Sequence, residues 1–586
     1  MAVFTRLQNI KLAHFATPLL LSAGVLLCIG ISLGFYYEDN QVVLVNLLYY
    51  AKPNETMITE WMNDFDFLLF PLFAVMGQKI KIFPFYAVWQ LLQVFLWLYA
   101  FFYFFIAEVK TAKLWLKIVA LLLIVFLGLD SLVNQVCFRN SILLSGAALV
   151  FTRQRLLAGK PVGVWPTALF IFSLIPRSHP AAVVLALFMA HEVMMGIGIK
   201  KVLKAHVPHL IACFIIIGSY QLYGAFATQN TGKVIEAGYE YAWFEKGAYK
   251  PLSDMTTTKD SLKYWAIQQW FMSDSAELNL AFIDRVVDRD KHYDGILSSH
   301  TYLNAMEETN RLISTYWYLF SLLFVLAALG VLGGMLPNKS WWVALVYAGI
   351  ILVLLFFLVN EIKERFLVPF TAVTILILLG DWLDKKQAGK YPLFMTSILV
   401  CFALVAAFFQ WQRASSTAQQ FAAADNAAAE NIKALNTYVK DKAVLVTMDV
   451  PIPEVRNIFY RSKESPYTNL AWVEAGYMIY YPYMEARIQN VAGFSAMNFQ
   501  DFLHCIDSNN KLRIIASPNR IDVLQKYSKG MYKRKLNMAE DTLQPLWKMP
   551  YKSYVLSSVP CPDCLYFENL QFLFSPSRTT VDNKNQ

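Results

Sequence analysis

Apolar residues recur along the first two thirds of this chain in blocks as long as a bilayer is thick. A helix needs about 20 mostly apolar residues to cross the hydrocarbon core. Eleven stretches are expected to do so: 15–36, 83–107, 114–129, 141–152, 164–176, 181–198, 207–224, 314–336, 341–359, 366–382 and 391–410. The fourth and fifth are short, and stand as spans only if tilted, extended by flanking residues or buried among neighbours. The first is too long, and too polar at its far end, to be a cleaved leader. No small-residue cleavage site precedes Tyr36-Tyr37-Glu38-Asp39.

The placement of Lys and Arg sets the orientation. With the N-terminus inside, the inner segments carry Arg6 and Lys11; Lys110, Lys113 and Lys117; Arg153, Arg155 and Lys160; Lys200, Lys201 and Lys204; Lys339; and Lys385, Lys386 and Lys390. The short outer loops hold few basic residues, notably Arg139, Arg177, Lys363 and Arg365. Eleven crossings then leave the C-terminus outside.

Three outer segments are large. Residues 37–82 contain amphipathic stretches at 42–50 and 65–75, the pattern of helices lying along the interface. Residues 225–313 are polar, rich in Trp, Tyr and acids, and helical in pattern. Residues 411–586 open with an Ala-rich helix from 413 to about 439. A strand-like run at 443–448 follows, ended by a Pro-rich turn at 450–453. The expected architecture is an all-α polytopic membrane domain, 1–410, including the outer loops 37–82 and 225–313. An extracytoplasmic α/β or α+β domain, 411–586, follows it. No repeat of 20–50 residues is visible.

Composition narrows the class further. Hydrophobic residues make up 57% and charged residues 16%, against roughly 45–50% and about 25% in soluble domains. Mean hydropathy is +0.40. Disordered, collagen-like and highly charged proteins are excluded, and a polytopic membrane protein of the plasma or bacterial inner membrane is expected. The net charge of +9 comes from 51 basic and 42 acidic residues. Cytoplasmic loops account for it without nucleic acid as a partner. Seven cysteines in 586 residues make no disulfide scaffold.

Four places gather chemistry-bearing residues at the expected outer face. Glu38 and Asp39 close the first span. They either solvate a helix end or form a general base poised at the membrane surface. The cluster Asn360-Glu361-Ile362-Lys363-Glu364-Arg365 lies at the mouth of the tenth span. Charges at this depth are costly unless paired or functional. Arg365 can clamp a phosphate bidentately and Lys363 can add a point charge, or the cluster is an ion-paired helix cap. Cys137-Phe138-Arg139-Asn140, with Asp130, supplies a further guanidinium and a possible second acid. Pro176-Arg177-Ser178-His179-Pro180 is a turn that two prolines enforce.

In order and sidedness these motifs resemble the GT-C superfamily of membrane glycosyltransferases, relatives of polyprenyl-phosphate-mannose protein mannosyltransferases and lipid A aminoarabinose transferases. The resemblance covers about residues 1–410. It rests on the acidic pair after span one, the long outer loop with interfacial helices and the Arg-Asn loop leading to Arg153-Gln154-Arg155. The Pro-bounded turn and Glu364-Arg365-Phe366-Leu367-Val368-Pro369 complete it. It implies transfer of a sugar, with inversion, from a polyprenyl-phosphate lipid to a glycan, lipid or protein acceptor on the outer face. The family's essential acid maps onto Asp39, with Glu38 as the neighbour able to replace it. The family's basic residue near the start of a late span maps onto Arg365. The usual D-E order reads here Glu38-Asp39, followed by Asn40, which leaves open which acid is the base. Arg365, Lys363 and Arg139 are the implied contacts for the donor phosphate. Some members use a divalent cation; Glu38, Asp39 and Asp130 offer oxygen atoms, but nothing here calls for a bound metal.

Other features carry less. His191-Glu192 in the sixth span lacks the second histidine of a zinc-protease motif, since Met195 stands there. The pair is expected to be buried or near the inner face, and His206 and His209 are expected at a wet inner boundary. Cys561 and Cys564 are expected to form a structural disulfide in an oxidising compartment, with Cys505 as the alternative partner. Two rival functions remain. A flippase of a lipid-linked saccharide should show inverted repeats, and none is visible. A non-catalytic assembly factor would use the outer tail to bind its partner.

Overall fold

The computed structural model describes residues 2–37, 69–80, 83–109, 114–194, 196–226, 250–251, 257–269, 271, 274, 276–288, 310–332, 364–384, 393–447, 455–460, 469–472, 482–494, 498–541 and 552–561. The membrane-like part is built of helices α1 (Ala2–Ser32), α2 (Phe70–Lys79), α3 (Phe85–Tyr103), α4 (Leu114–Val133), α5 (Cys137–Leu157), α6 (Val164–Leu174), α7 (Ser178–Met194) and α8 (Ile199–Phe226). After α9 (Thr258–Gln268) and α10 (Leu280–Val286) come α11 (Trp317–Leu332), α12 (Glu364–Asp384) and α13 (Leu393–Val439). Ten of the eleven apolar stretches thus fall on helices, and the remaining one, 341–359, lies outside the described residues. Among the described residues, five helices are long and apolar enough to cross a membrane: Phe15–Ser32, Phe85–Glu108, Leu114–Val133, Ile199–Tyr220 and Phe394–Val439.

The outer surfaces of these helices are apolar. Leu20 on α1 is 68% exposed and Phe214 on α8 is 81% exposed, with Leu27, Ile31, Ile211, Ile215 and Phe408 also exposed. Such belts are costly in water and suit lipid. Helix α5 is the opposite case. It packs against α3, α6, α7, α8 and α12, and every residue from Cys137 to Arg153 is buried. Flanking residues lengthen this short span, and neighbours enclose it on all sides.

Beyond α13 a five-stranded sheet forms in the order β4-β3-β5-β7-β6, with β3 (Ala443–Val446), β4 (Leu470–Trp472), β5 (Leu512–Ala516), β6 (Arg534–Glu540) and β7 (Lys552–Pro560). Strands β4, β3 and β5 are mutually parallel, and β7 runs antiparallel to both its neighbours, β5 and β6. Helices α14 (Pro482–Ala492), α15 (Phe499–Ser508) and α16 (Pro518–Tyr532) accompany it. Two buried strands read as continuous apolar runs, Ala443-Val444-Leu445-Val446 and Ile514-Ile515-Ala516, as strands covered on both faces do. A contiguous cluster of buried apolar residues extends from the helices to the sheet.

Candidate functional site

The site begins where α1 ends. Gly34 takes φ +81, a backbone region open to glycine, and the chain turns into the short strand β1 (Tyr36–Tyr37). This strand pairs in parallel with β2 (Asn134–Gln135), Tyr36 opposite Asn134 and Tyr37 opposite Gln135. On its other side it meets residues 456–458. Tyr37 N donates to Arg456 O at 2.8 Å and Ile458 N donates to Phe35 O at 3.2 Å. Asp425 of α13 fixes that neighbour, accepting from Arg456 N at 2.7 Å and Asn457 N at 2.8 Å. Three elements therefore fix the position of Tyr37, the residue before Glu38. Glu38 and Asp39 themselves lie outside the described residues.

The β2–α5 corner carries the polar groups. Asp130 and Arg139 are 5% and 4% exposed. Their side chains pair at 3.7 Å, and Arg139 Nη1 also donates to Asp130 O at 3.1 Å. The Tyr316 hydroxyl donates to Asp130 Oδ2 at 3.5 Å, and the Arg413 guanidinium lies over the Tyr316 ring at 4.3 Å. Burying either charge alone would be expensive, and the partner offsets the cost. A second chain of polar groups runs beside it. Asn140 donates to Gln90 Oε1 at 3.0 Å, and Gln90 donates to the Tyr86 hydroxyl at 3.0 Å. The Tyr86 ring sits 5.9 Å from that of Tyr37.

Some polar atoms at this corner are unspent. Both amide atoms of the fully buried Gln93, Asn134 Oδ1 and Asn140 Oδ1 have no hydrogen-bond partner among the described residues. Buried polar groups are normally satisfied, and these four atoms depart from that rule.

The start of α12 reaches the same corner. The Phe366 ring packs on Phe138 at 5.2 Å, and the Arg177 guanidinium covers Phe138 at 3.7 Å. Ser141 Oγ lies 2.8 Å from Ser173 O and 2.7 Å from Arg177 O, tying in the Pro-bounded turn. Arg365 is the second residue of α12, and its side chain, like Lys363, lies outside the described residues.

The structure thus joins Asp130 to Arg139 and brings the Arg177 turn to them. Sequence reading missed Tyr86, Gln90, Gln93 and Tyr316. Gln90 and Gln93, one turn apart on an otherwise apolar helix, were the available signal.

The opposite end of the bundle corrects one expectation. His206 and His209 are fully buried, not at a wet boundary. His206 Nε2 lies 2.8 Å from Glu192 Oε2, and His206 Nδ1 lies 3.4 Å from His209 Nδ1. His209 Nε2 lies 3.5 Å from Thr152 Oγ1. Mutual pairing lets these side chains leave water. Farther along the chain, Cys561 is disulfide-bonded, whereas Cys505 is a free thiol donating to Ala492 O at 3.1 Å. Among the described residues no group of three or more His, Cys, Asp or Glu side chains is placed to hold a metal ion.

No protein-family profile, no curated protein and no solved structure matches the chain.

Proposed function

We propose that the protein is an integral-membrane, inverting glycosyltransferase of GT-C type. In this reading it crosses the membrane eleven times with the N-terminus inside. It moves a sugar from a polyprenyl-phosphate donor to a glycan, lipid or protein acceptor on the outer face, where residues 411–586 lie. One observation carries the reading. The six-residue corner 134–139 is bordered on one side by Tyr36-Tyr37, which leads directly into Glu38-Asp39. On the other side it is bordered by Phe366, which directly follows Arg365. A base from the end of span one and a guanidinium from the start of a late span are the two parts such a transfer needs.

The chemistry follows from those parts. Asp39, or Glu38 beside it, takes the proton of the acceptor hydroxyl. The hydroxyl oxygen bonds to the anomeric carbon as the bond from that carbon to the phosphate oxygen breaks. The electron pair leaves with the polyprenyl phosphate. Because Arg139 already pairs with Asp130, we assign the departing phosphate first to Arg365 and Lys363. Their charges act more strongly in a groove of low dielectric than in water.

The test is release of polyprenyl phosphate by the full chain reconstituted with lipid-linked sugars. Asp39→Asn is expected to abolish release without loss of folding. Full activity in both Asp39→Asn and Glu38→Gln would remove the base and with it the proposal. A flippase is the second reading, favoured by the buried Glu192–His206–His209 chain, since intramembrane ionisable groups mark transport paths. It predicts that Glu192→Gln stops movement of a lipid-linked saccharide between leaflets while no sugar is transferred.

A further inference from the structure

A cavity of about 600 Å³ opens at the end of the bundle opposite the 134–139 corner, within the roughly 300–1,000 Å³ range of small-ligand sites. The proposed sugar transfer makes no use of it. One wall is aromatic. Tyr103 packs against Phe15 at 5.3 Å, Phe151 at 5.9 Å and Tyr99 at 6.2 Å, and Tyr99 meets Trp165 edge-on at 6.3 Å. Phe15 is exposed on the same helix as Leu19 and Leu20, so this wall runs out onto an apolar flank suited to lipid tails.

The rest of the lining carries charges of both signs, Glu108, Arg155 and Lys160, beside the uncharged Gln154, Ala158 and Pro166. Arg155 is held in place. Its Nη1 donates to Pro161 O at 3.2 Å, and a Cβ on Gly163, at φ +80, would stand 2.7 Å from that nitrogen. The positive φ favours glycine at 163. Glu108 sits at the end of a five-residue π-helical turn, Phe104–Glu108. Such turns are frequent at functional sites. Among the described residues, none of the three charged side chains makes an ion pair.

An acid and two cations that face one cavity without neutralising each other complement a ligand carrying both charges. We propose that the cavity binds a zwitterionic phospholipid with a primary amine, of the phosphatidylethanolamine type. The phosphate meets Arg155 and Lys160. The ammonium meets Glu108 and the faces of the tyrosine rings. The upper acyl chain lies along Phe15 and Phe151. A purely anionic lipid would satisfy the cations but set its charge against Glu108.

Native mass spectrometry of the full-length protein in detergent tests this with three probes: dioleoylphosphatidylethanolamine, dioleoylphosphatidylglycerol and glycerophosphoethanolamine, which lacks acyl chains. The wild type is expected to retain the first over the second. Arg155→Ala or Lys160→Ala should weaken its retention about tenfold, the loss of one charge-assisted contact. Lys160 is exposed, so that variant keeps the test valid if Arg155→Ala fails to fold. Glu108→Gln should erase the preference while leaving phosphatidylglycerol bound. Equal retention of the two lipids by the wild type overturns the proposal. So does equal displacement by glycerophosphoethanolamine, which would mean a soluble phosphoamine with no use for the aromatic wall. Unchanged binding in Lys160→Ala and Glu108→Gln overturns it as well.

Discussion

Tyr527 donates its phenol to Asp274 Oδ2 at 2.8 Å, across 253 residues of chain. Tyr532 donates to the same oxygen at 2.5 Å. This carboxylate fastens the segment around α9 to α16, helped by the Phe271 ring 4.5 Å from Tyr527. The Leu262 side chain also packs against the backbone at Gly530, where a Cβ would crowd it. Tyr527→Phe should cost about 1–3 kcal/mol, the usual worth of one hydrogen bond to a carboxyl group, since Tyr532 still donates to the same oxygen. Hydrogen exchange of the 258–268 and 518–532 amides reads it out as faster local opening. Unchanged protection would mean that ring packing alone holds the contact.

The same carboxylate gives that contact a pH dependence. Burial outweighs the two phenol hydrogen bonds and pushes Asp274 above the ordinary carboxylate range. The folded state therefore holds this proton more tightly than the unfolded state does. Its contribution is full below the ordinary carboxylate value, about 3.9. It declines as pH rises from there through the raised folded value. Asp274→Asn should flatten that part of the stability profile. Burial also pushes up the phenols of Tyr527 and Tyr532, so a second decline is expected above about pH 10. A contact that strengthens between pH 4 and 7 contradicts this assignment.

For the buried pair Asp130–Arg139, each single replacement strands a charge. Arg139→Met should lower stability by about 3–5 kcal/mol, and Asp130→Asn by a similar amount. The double variant should cost less than their sum, because neither charge remains to be stranded. Thermal midpoints of the four proteins in detergent complete the cycle. Additive losses would show that the two side chains do not depend on each other.

Asp425 is the anchor that places residues 456–458 against Tyr36-Tyr37. Asp425→Ala removes a charged acceptor from two amides and should cost about 2–4 kcal/mol. Asp425→Asn keeps one acceptor oxygen and should lose about half of that. The amides of Arg456, Asn457 and Tyr37 should all exchange faster in the alanine variant. Acceleration at Arg456 and Asn457 without Tyr37 would uncouple the helix from the strand.

The helices were legible because their signal is local. Seventeen of the nineteen positions from 85 to 103 are apolar and can be counted along the sequence, and α3 appears where they stand. The join between 391–410 and the Ala-rich segment was not, because it depends on what is missing. No Gly or Pro lies between Trp411 and Val439, so nothing ends the helix and α13 runs through unbroken. Helix α5 was read short because Arg139 and Asn140 interrupt its hydropathy. Their partners, Asp130 and Gln90, lie on other helices, and spacing along the chain does not encode that approach. For the site, the Asp130–Arg139 grouping came from nearness in sequence. The Tyr37–Arg456 and Tyr316–Asp130 contacts depend on tertiary folding, and no sequence period announces them.

The 47 residues of α13 make a rod about 70 Å long at 1.5 Å per residue. Its apolar portion ends near Trp411, leaving some 40 Å to project beyond it. A straight projection of that length would amplify angle into distance. A rocking of about 5° at its base sweeps the far end, where β3 begins, through roughly 3–4 Å. Small shifts among the helices would thus be felt at the sheet as displacements the size of a side chain, and pressure on the sheet would be returned through the same arm.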